Sequence, residues 1–163
     1  MTKKTRTIKN LNMFFRKADL SDIDKLAEIR KKQIQDEGQK PDTDIDDDLR
    51  RFFHEKMSGG ELIEWVAETD EGIIATAAIM FMDYPPAFTN PTGRKGYVCN
   101  MYTADEYRGQ GLARELMAKL EDEARKQGLT TLVLHASVMG RKAYAKIGYH
   151  ETDLVMEKHI SKL

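Results

Sequence analysis

Hydrophobic positions recur along the chain with two different periods, and the change of period predicts which segments are helices and which are strands. A first strand is predicted over residues 13–18, followed by a helix over 19–35 in which Ser21 and Asp24 have the spacing of a capping box. A second helix is predicted over 44–57, because its apolar side chains repeat with helical spacing and two glycines follow it. The chain is therefore expected to begin with one strand and two helices.

The middle of the chain has the pattern of a sheet. Two apolar segments, 61–68 and 72–82, flank the sequence Thr-Asp-Glu-Gly, which is typical of a hairpin turn. We expect two central, largely buried antiparallel strands there. The loop over 83–96 holds three of the four prolines, so it should lie on the surface before another strand over 97–103.

The last third of the chain contains the most regular element, a helix over 112–127 whose leucines repeat every four residues. A strand over 131–136, a short helix over 140–148 and a final strand over 149–160 are predicted after it. This order predicts an α/β (α+β) fold with a mixed, mostly antiparallel central sheet flanked by helices. Residues 13–160 are expected to form the single domain and residues 1–12 a polar lead-in.

Composition narrows the classes of function. The 163 residues suffice for one domain, and 26 basic against 27 acidic side chains give no sign of nucleic-acid binding. The longest apolar run, 73–82, is far shorter than the ~20 residues that span a bilayer. We therefore expect no nucleic-acid or membrane partner and a cytoplasmic location. The sequence Ser161-Lys162-Leu163 also matches a peroxisomal address, which leaves targeting open.

Cysteine and histidine usage predicts neither a disulfide framework nor a metal site. Cys99 is the only cysteine, and an isolated cysteine in an apolar strand is more typical of packing than of an acyl-enzyme intermediate. The four histidines show no spacing of the kind that metal ligands have. We expect no metal cofactor.

The candidate chemistry begins at the stretch YRGQGLARELM, where a glycine turn leads directly into the long helix. A helix start presents unpaired N–H groups and a partial positive charge, and Gly109 and Gly111 permit dihedral angles that expose them. With Arg108 nearby, this turn is a candidate diphosphate site, although a Gly-x-Gly alone can serve merely to turn the chain. A P-loop is excluded, because Leu112 and Ala113 stand where Lys and Ser or Thr are needed. A dinucleotide fold is disfavoured by the late position of the turn.

The same residues resemble the GCN5-related N-acetyltransferases. Their signature is Arg or Gln, two residues, Gly, one residue, then Gly or Ala, and Arg108, Gly111 and Ala113 match it. The resemblance implies acetyl-CoA as cosubstrate, with its pyrophosphate held by the turn from 108 to 113. The expected cofactor-binding residues there are Arg108, Gly109, Gln110, Gly111, Leu112 and Ala113. The backbone near Met101 and Thr103 is expected to pair with the pantetheine like an added strand.

A second part of the family pattern is matched by SVMGRKAYAKIGY, with Tyr144 at the position of the family's tyrosine. The resemblance implies that Tyr144 protonates the departing thiolate, a role suited to a phenol with a pKa near ~10. The N–H near Met101 would stabilise the oxyanion. Ser137 stands where Asn is usual and is a candidate cofactor contact, while Gly140 replaces the usual Ala.

The general base and the acceptor stay open. Glu64, Glu68 and Asp83 are acids on or next to neighbouring strands, and solvent is a further alternative. The acidic run over 42–48 either attracts a cationic amine or simply favours a helix start. The hypothesis is an acetyl-CoA-dependent N-acetyltransferase that acts on a primary amine of a small molecule or peptide by direct transfer in a ternary complex.

Two alternatives come from other classes of protein. One is a non-catalytic acyl-CoA-binding sensor that kept the turn and lost the chemistry. The other is a nicotinamide-dependent oxidoreductase. The sequence does not decide the length of the acyl chain. It also leaves the oligomeric state open, and a homodimer is one of the possible states.

Overall fold

The computed structural model describes residues 12–138, 140–152 and 155–160. Five strands form one sheet in the order of the chain, and all neighbours are antiparallel except the last pair, which is parallel. The strands are Phe14–Lys17 (β1), Leu62–Thr69 (β2), Gly72–Asp83 (β3), Arg94–Thr103 (β4) and Leu132–Leu134 (β5). The helices are Ile23–Asp36 (α1), Asp46–Ser58 (α2), Leu112–Lys126 (α3) and Arg141–Lys146 (α4). The predicted mixed, mostly antiparallel sheet flanked by helices is confirmed.

Helices cover both faces of the sheet. The apolar stripe of α3, which includes Leu116 and Leu120, packs on one face, where Ile79 of β3 contributes to the core. Leu26 of α1 and Phe53 of α2 pack on the other face. The middle of β3 is buried from both sides, which explains why it is an apolar run rather than an alternating pattern.

The amino-terminal cap differs from the prediction. The capping box is formed by Asp19 and Asp22 around a short 3₁₀ helix, Leu20–Asp22, that leads into α1. The Asp19 carboxylate accepts a hydrogen bond from the Ser21 backbone N–H at 2.8 Å, and Asp22 accepts from the Asp19 N–H at 2.9 Å. The prediction of Ser21 with Asp24 was wrong because the tight turn begins two residues earlier than the apolar spacing indicates.

The strand after the proline-rich loop begins earlier than predicted. β4 starts at Arg94 rather than at residue 97, because the end of the loop folds back on β3 with Tyr84 N–H donating to Gly93 O at 3.0 Å. Gly93 has a φ of 71°, and an added Cβ would meet the Tyr84 carbonyl oxygen at 1.9 Å. This close approach requires glycine.

The predicted final strand over 149–160 is not found in the residues described there, 149–152 and 155–160. Its apolar side chains Val155, Met156 and Ile160 are exposed. The alternating pattern that suggested a strand therefore has no packing partner among the described residues. The lead-in over 1–11 and the sequence Ser161-Lys162-Leu163 lie outside the described residues. Within the described ranges, no helix is long and apolar enough to cross a membrane.

Candidate active site

The site is organised by a bulge in β4. Two residues of this strand, Asn100 and Met101, lie opposite the single Ala77 of β3, and Asn100 has a φ of 52°. The Thr76 hydroxyl donates to the Asn100 carbonyl oxygen at 2.7 Å and so fastens the bulge. On the other side, β4 pairs with β5 only as far as Val98. The edge of β4 beyond that point therefore faces a cleft rather than another strand of the described sheet.

The cleft has a volume of about 1320 Å³ and is lined by α1, α2, β4, the start of α3 and α4. It brings together nine of the residues expected to act on the cofactor or in catalysis: Met101, Thr103, Arg108, Gly109, Gly111, Leu112, Ala113, Ser137 and Tyr144. Gln110 does not line it, and its side-chain amide donates instead to the Glu106 carbonyl oxygen at 3.3 Å. Arg114, Lys142 and Lys146 add positive charge to the lining.

The glycine turn leaves the first turn of α3 open to an anion. Gly109 and Gly111 have φ values of 75° and 83°, in the left-handed region that favours glycine. An added Cβ at either position would meet nothing within 4 Å, so conformation and not space requires these glycines. α3 has no side-chain cap, and the backbone N–H groups of 109–114 find no acceptor in the described part of the chain. These amides are available to a phosphate.

Arg108 lies at the cleft, but its charge is partly neutralised within the protein. Its guanidinium contacts Asp105 Oδ1 at 2.9 Å and Asp36 Oδ2 at 3.5 Å, and its Nε donates to the Thr103 carbonyl oxygen at 3.0 Å. Arg108 thus ties the turn to the end of α1 and to β4. Because Arg108 already contacts two acids, the amides of the turn are the groups left without an acceptor in the described part of the chain.

Tyr144 is half-buried on α4 and packs over a glycine. A Cβ added to Gly140 would meet Tyr144 Cε2 at 2.9 Å and Ser137 Oγ at 3.3 Å, so the departure from the usual Ala makes room for this ring. Ser137 Oγ accepts a hydrogen bond from the Gly140 N–H at 3.1 Å, just before the helix begins. Burial, and then the charge of Glu37, raise the pKa of Tyr144. The phenol therefore keeps its proton at neutral pH.

Of the three acids left open by the sequence, only Glu64 contacts a residue of the cleft. It is 2% exposed, and Asn100 Nδ2 at the bulge donates to its Oε2 at 3.2 Å. Burial raises the pKa of Glu64 to about 8, against the opposing effects of the Asn100 hydrogen bond and the charge of Arg30. Glu68 instead pairs with Arg16 at 2.6 Å and Asp83 with Arg94 at 3.7 Å. None of the three acids lines the cleft itself, and Glu64 reaches it only through Asn100.

The remaining sequence candidates have structural roles. Burial, and then the charge of Glu64, raise the pKa of Cys99 to about 12, so its thiol is a poor nucleophile. The acids of the run over 42–48 lie outside the cleft lining, and three of them form the first turn of α2. Asp46 pairs with Lys31 and Asp48 with Arg51. These contacts favour the helix-start interpretation over an amine-binding patch.

One polar face of the cleft was missed by the sequence analysis. Arg30 and Gln33 of α1, and Glu37 directly after it, line the cleft together with Tyr97 and His135. The side chains of Tyr97 and His135 approach to 3.2 Å between Tyr97 Oη and His135 Nδ1. The sequence did contain a signal for this polar face, because positions 30, 33 and 37 have the spacing of one face of a helix. These positions lie beside the apolar residues that identified α1, so the sequence analysis interpreted that side of the helix as core.

The open β4 edge, the uncapped glycine turn and the tyrosine of α4 define the class of protein. The model of the acetyltransferase (GNAT) family matches residues 23–149, so the chain belongs to this family. The resemblance stated from the sequence is thereby confirmed, and it covers most of the described domain.

Solved structures agree with this assignment. The chain is 47% identical to a predicted acetyltransferase from Clostridium acetobutylicum solved with acetyl-CoA; the match covers 90% of this chain and 96% of that one, with a TM-score of 0.88. It is 27% identical to a GCN5-related N-acetyltransferase from Ralstonia eutropha JMP134, over 91% and 98% of the two chains, with a TM-score of 0.85.

Curated relatives match over a shorter part of their length. N-acetyltransferase 8B of Rattus norvegicus is 31% identical over 114 residues, which are 68% of this chain and 47% of that protein. An uncharacterized N-acetyltransferase of Bacillus subtilis is 33% identical over 41% of this chain and 45% of its own length. The chain thus matches about half the length of these curated relatives.

Proposed function

We propose that this protein is an acetyl-CoA-dependent N-acetyltransferase that moves an acetyl group to a primary amine of a small molecule or peptide by direct transfer in a ternary complex. The observation that carries the proposal is the single cleft that joins an open β4 edge, an uncapped α3 and Tyr144. The solved acetyl-CoA complex of the relative from Clostridium acetobutylicum supports the choice of cosubstrate.

The cosubstrate would be held by backbone groups more than by side chains. The amides of 109–114 suit its pyrophosphate, because they lie at a helix start and have no acceptor among the described residues. The edge of β4 around Met101 and Thr103 suits the amide groups of the pantetheine arm, which pair as an added strand would. Both contacts use the bulge and the turn that the fold already provides.

The proposed chemistry follows each proton. The neutral amine attacks the thioester carbonyl, the C–S bond breaks, and the Tyr144 hydroxyl gives its proton to the departing thiolate. The nitrogen of the new amide loses its extra proton to water, and water returns a proton to the Tyr144 phenolate. The amine must first lose a proton, and we assign Glu64 as the acceptor, acting through water. Its pKa of about 8 is suited to accepting a proton at slightly alkaline pH. The backbone N–H at Met101 is the proposed donor to the developing oxyanion.

Release of free thiol from acetyl-CoA tests the proposal, with polyamines, aminoglycosides, amino-terminal peptides and anionic amines supplied as separate acceptor sets. Tyr144→Phe should retain acetyl-CoA binding and lose at least about tenfold in kcat. Tyr149→Phe is the matched control, because the Tyr149 ring packs edge to face on Tyr144 with centroids 5.8 Å apart and its buried hydroxyl has no partner among the described residues.

Three outcomes separate the hypotheses. Thiol release that falls in Tyr144→Phe and persists in Tyr149→Phe supports the transferase and its acid. Equal turnover in both variants removes Tyr144 from that role. Binding of acetyl-CoA by the wild type without thiol release in any acceptor set would identify a non-catalytic acyl-CoA sensor instead.

A further inference from the structure

A polar ladder runs along the cleft face of α1. Arg30 Nη1 donates to Gln33 Oε1 at 3.1 Å, and Gln33 Nε2 donates to Glu37 Oε1 at 3.1 Å. All three side chains line the cleft. The Arg30 guanidinium and the Glu37 carboxylate are thus linked through a neutral amide and do not pair directly with each other.

Arg30 is a half-buried cation whose charge is not balanced locally. Its one hydrogen-bond acceptor among the described residues is the neutral Gln33 amide, and no carboxylate of those residues lies within the 4.0 Å of an ion pair. This differs from Arg108, which contacts two acids. A guanidinium that is partly removed from water and faces a cleft gains most from an anion that binds in that cleft.

Both ends of the ladder act on groups of the site. The charge of Glu37 acts on Tyr144, whose pKa it raises as the second cause after burial. The charge of Arg30 acts on Cys99 and on the buried Glu64, where it opposes the effect of burial on both groups. Both charges also act on Tyr97, so the whole ladder borders the cleft.

Apolar side chains also line this cleft. Phe52, Phe53 and Met80 line the same cleft, and Phe53 and Met80 belong to the core on the α1 and α2 face of the sheet. The phosphate-binding turn has its own cations in Arg108 and Arg114. The α1 side of the cleft is thus suited to an acceptor with a hydrophobic middle and charged ends.

We propose that the acceptor is an anionic amine, in which a carboxylate or phosphate binds Arg30 in the cleft while the amine reaches the thioester near Tyr144. This inference rests on the proposed acetyl transfer, whose acceptor it specifies. It differs from the cationic amine that the acidic run over 42–48 suggested. Arg30 is then the residue that selects the acceptor rather than one that takes part in bond making.

Matched acceptor pairs test the proposal by thiol release from acetyl-CoA. The pair 6-aminohexanoate and 6-aminohexanamide differs by a carboxylate, and glucosamine 6-phosphate and glucosamine differ by a phosphate, so the two pairs distinguish the two anions. The wild type should prefer the anionic member of one pair by about tenfold or more in kcat/KM. Arg30→Gln should raise KM for that member by about 10- to 100-fold, with the KM for acetyl-CoA nearly unchanged. The comparison is made well above pH 8, because loss of the Arg30 charge raises the pKa of the proposed base Glu64.

Two control variants define the effect. Arg125→Gln removes a guanidinium that pairs with Glu121 and Asp122 on the exposed face of α3, and it should leave every KM unchanged. Arg30→Lys should restore part of the preference, because it returns the charge without the planar fork. Equal kcat/KM for both members of each pair, or a preference that survives Arg30→Gln, would overturn the proposal.

A binding experiment keeps this inference separate from the proposed activity. If no amine releases thiol, the protein with bound CoA is titrated calorimetrically with the same four compounds. Binding of an anionic member alone, lost in Arg30→Gln, supports the anion site even though the transferase proposal has failed. Absence of binding by all four compounds, or equal binding of charged and neutral members, overturns the anion site itself.

Discussion

The ring of Tyr144 lies directly over Gly140, so that a Cβ on that glycine would come within 2.9 Å of Tyr144 Cε2. Gly140→Ala should therefore tilt the ring and move its hydroxyl within the cleft. We expect kcat for acetyl transfer to fall about tenfold, since small displacements of a catalytic group are costly. The φ of Gly140 is −77°, so the backbone itself accepts alanine without strain.

A double variant checks that this effect passes through Tyr144. If Gly140→Ala acts only by displacing the hydroxyl, then combining it with Tyr144→Phe should lower kcat no further than Tyr144→Phe alone. Additive losses in thiol release would show that Gly140 influences the site by another route, such as its hydrogen bond to Ser137 Oγ.

From the proposed role of Glu64 as proton acceptor we predict that activity depends on pH. If the Glu64 carboxylate accepts the amine proton, kcat/KM in the wild type should rise as the pH increases through about 8, where this group loses its proton. Glu64→Gln can still accept the hydrogen bond from Asn100, so the bulge should persist while the titration disappears. Asp83→Asn, an exposed acid outside the cleft, is the matched control and should leave the profile unchanged. An identical profile in Glu64→Gln would remove the base assignment.

From the raised pKa of Glu64 we also predict that the stability of the fold depends on pH. The pKa of Glu64 is about 8 in the folded protein against an ordinary 4.5, so the folded state binds this proton more tightly than the unfolded state. The free energy of unfolding should accordingly decline as the pH rises from about 5 to about 8, by an amount on the order of a few kcal/mol. Chemical denaturation should show a weaker decline in Glu64→Gln. Parallel curves for both proteins would show that Glu64 contributes little to this dependence.

From the conformation of Gly111 we predict that acetyl-CoA binding depends on the shape of the glycine turn. The φ of 83° at Gly111 disfavours a side chain, so Gly111→Ala should lose about 1–2 kcal/mol of stability and weaken acetyl-CoA binding by altering the turn. Gly60→Ala is a matched control, because Gly60 has a φ of 71°, has open space for a Cβ and lies outside the cleft lining. Gly60→Ala should lower the melting temperature similarly without changing the Kd for acetyl-CoA. Equal Kd values in both variants would contradict a role of the turn in binding.

The contact between Asp36 and Arg108 leads to a prediction about acetyl-CoA binding. Asp36 pairs with both Lys32 and Arg108, and these contacts lower the pKa of Asp36. Asp36→Asn should release part of the Arg108 charge and tighten acetyl-CoA binding a few-fold, with a steeper dependence on salt concentration. Asp122→Asn, which removes an acid on the outer face of α3, should leave binding unchanged. Weaker binding in Asp36→Asn would instead show that the ion pair is needed to hold the turn in place.

The elements that sequence periodicity predicted well are those whose pattern is local. The stripe of α3 identified that helix to within one residue at its end, and the hairpin of β2 and β3 followed from its turn sequence. The glycine turn was also recognisable, because the left-handed φ of Gly109 and Gly111 requires a residue type that is visible in the sequence. The prediction of the final strand was wrong because a strand depends on non-local contacts. Its alternating side chains have no packing partner in the described residues.

The sequence by itself determined the order of the elements as far as α4, the glycine turn and the candidate tyrosine, because each depends on neighbouring residues. The tertiary structure alone decided which acid reaches the bulge and which face of α1 lines the cleft. Glu64 and Asn100 are 36 positions apart, yet their side chains meet at 3.2 Å beneath the bulge. Burial of Glu64, and the placement of Arg30 near it, follow from the packing of helices on the sheet, and that packing depends on contacts between residues distant in the chain.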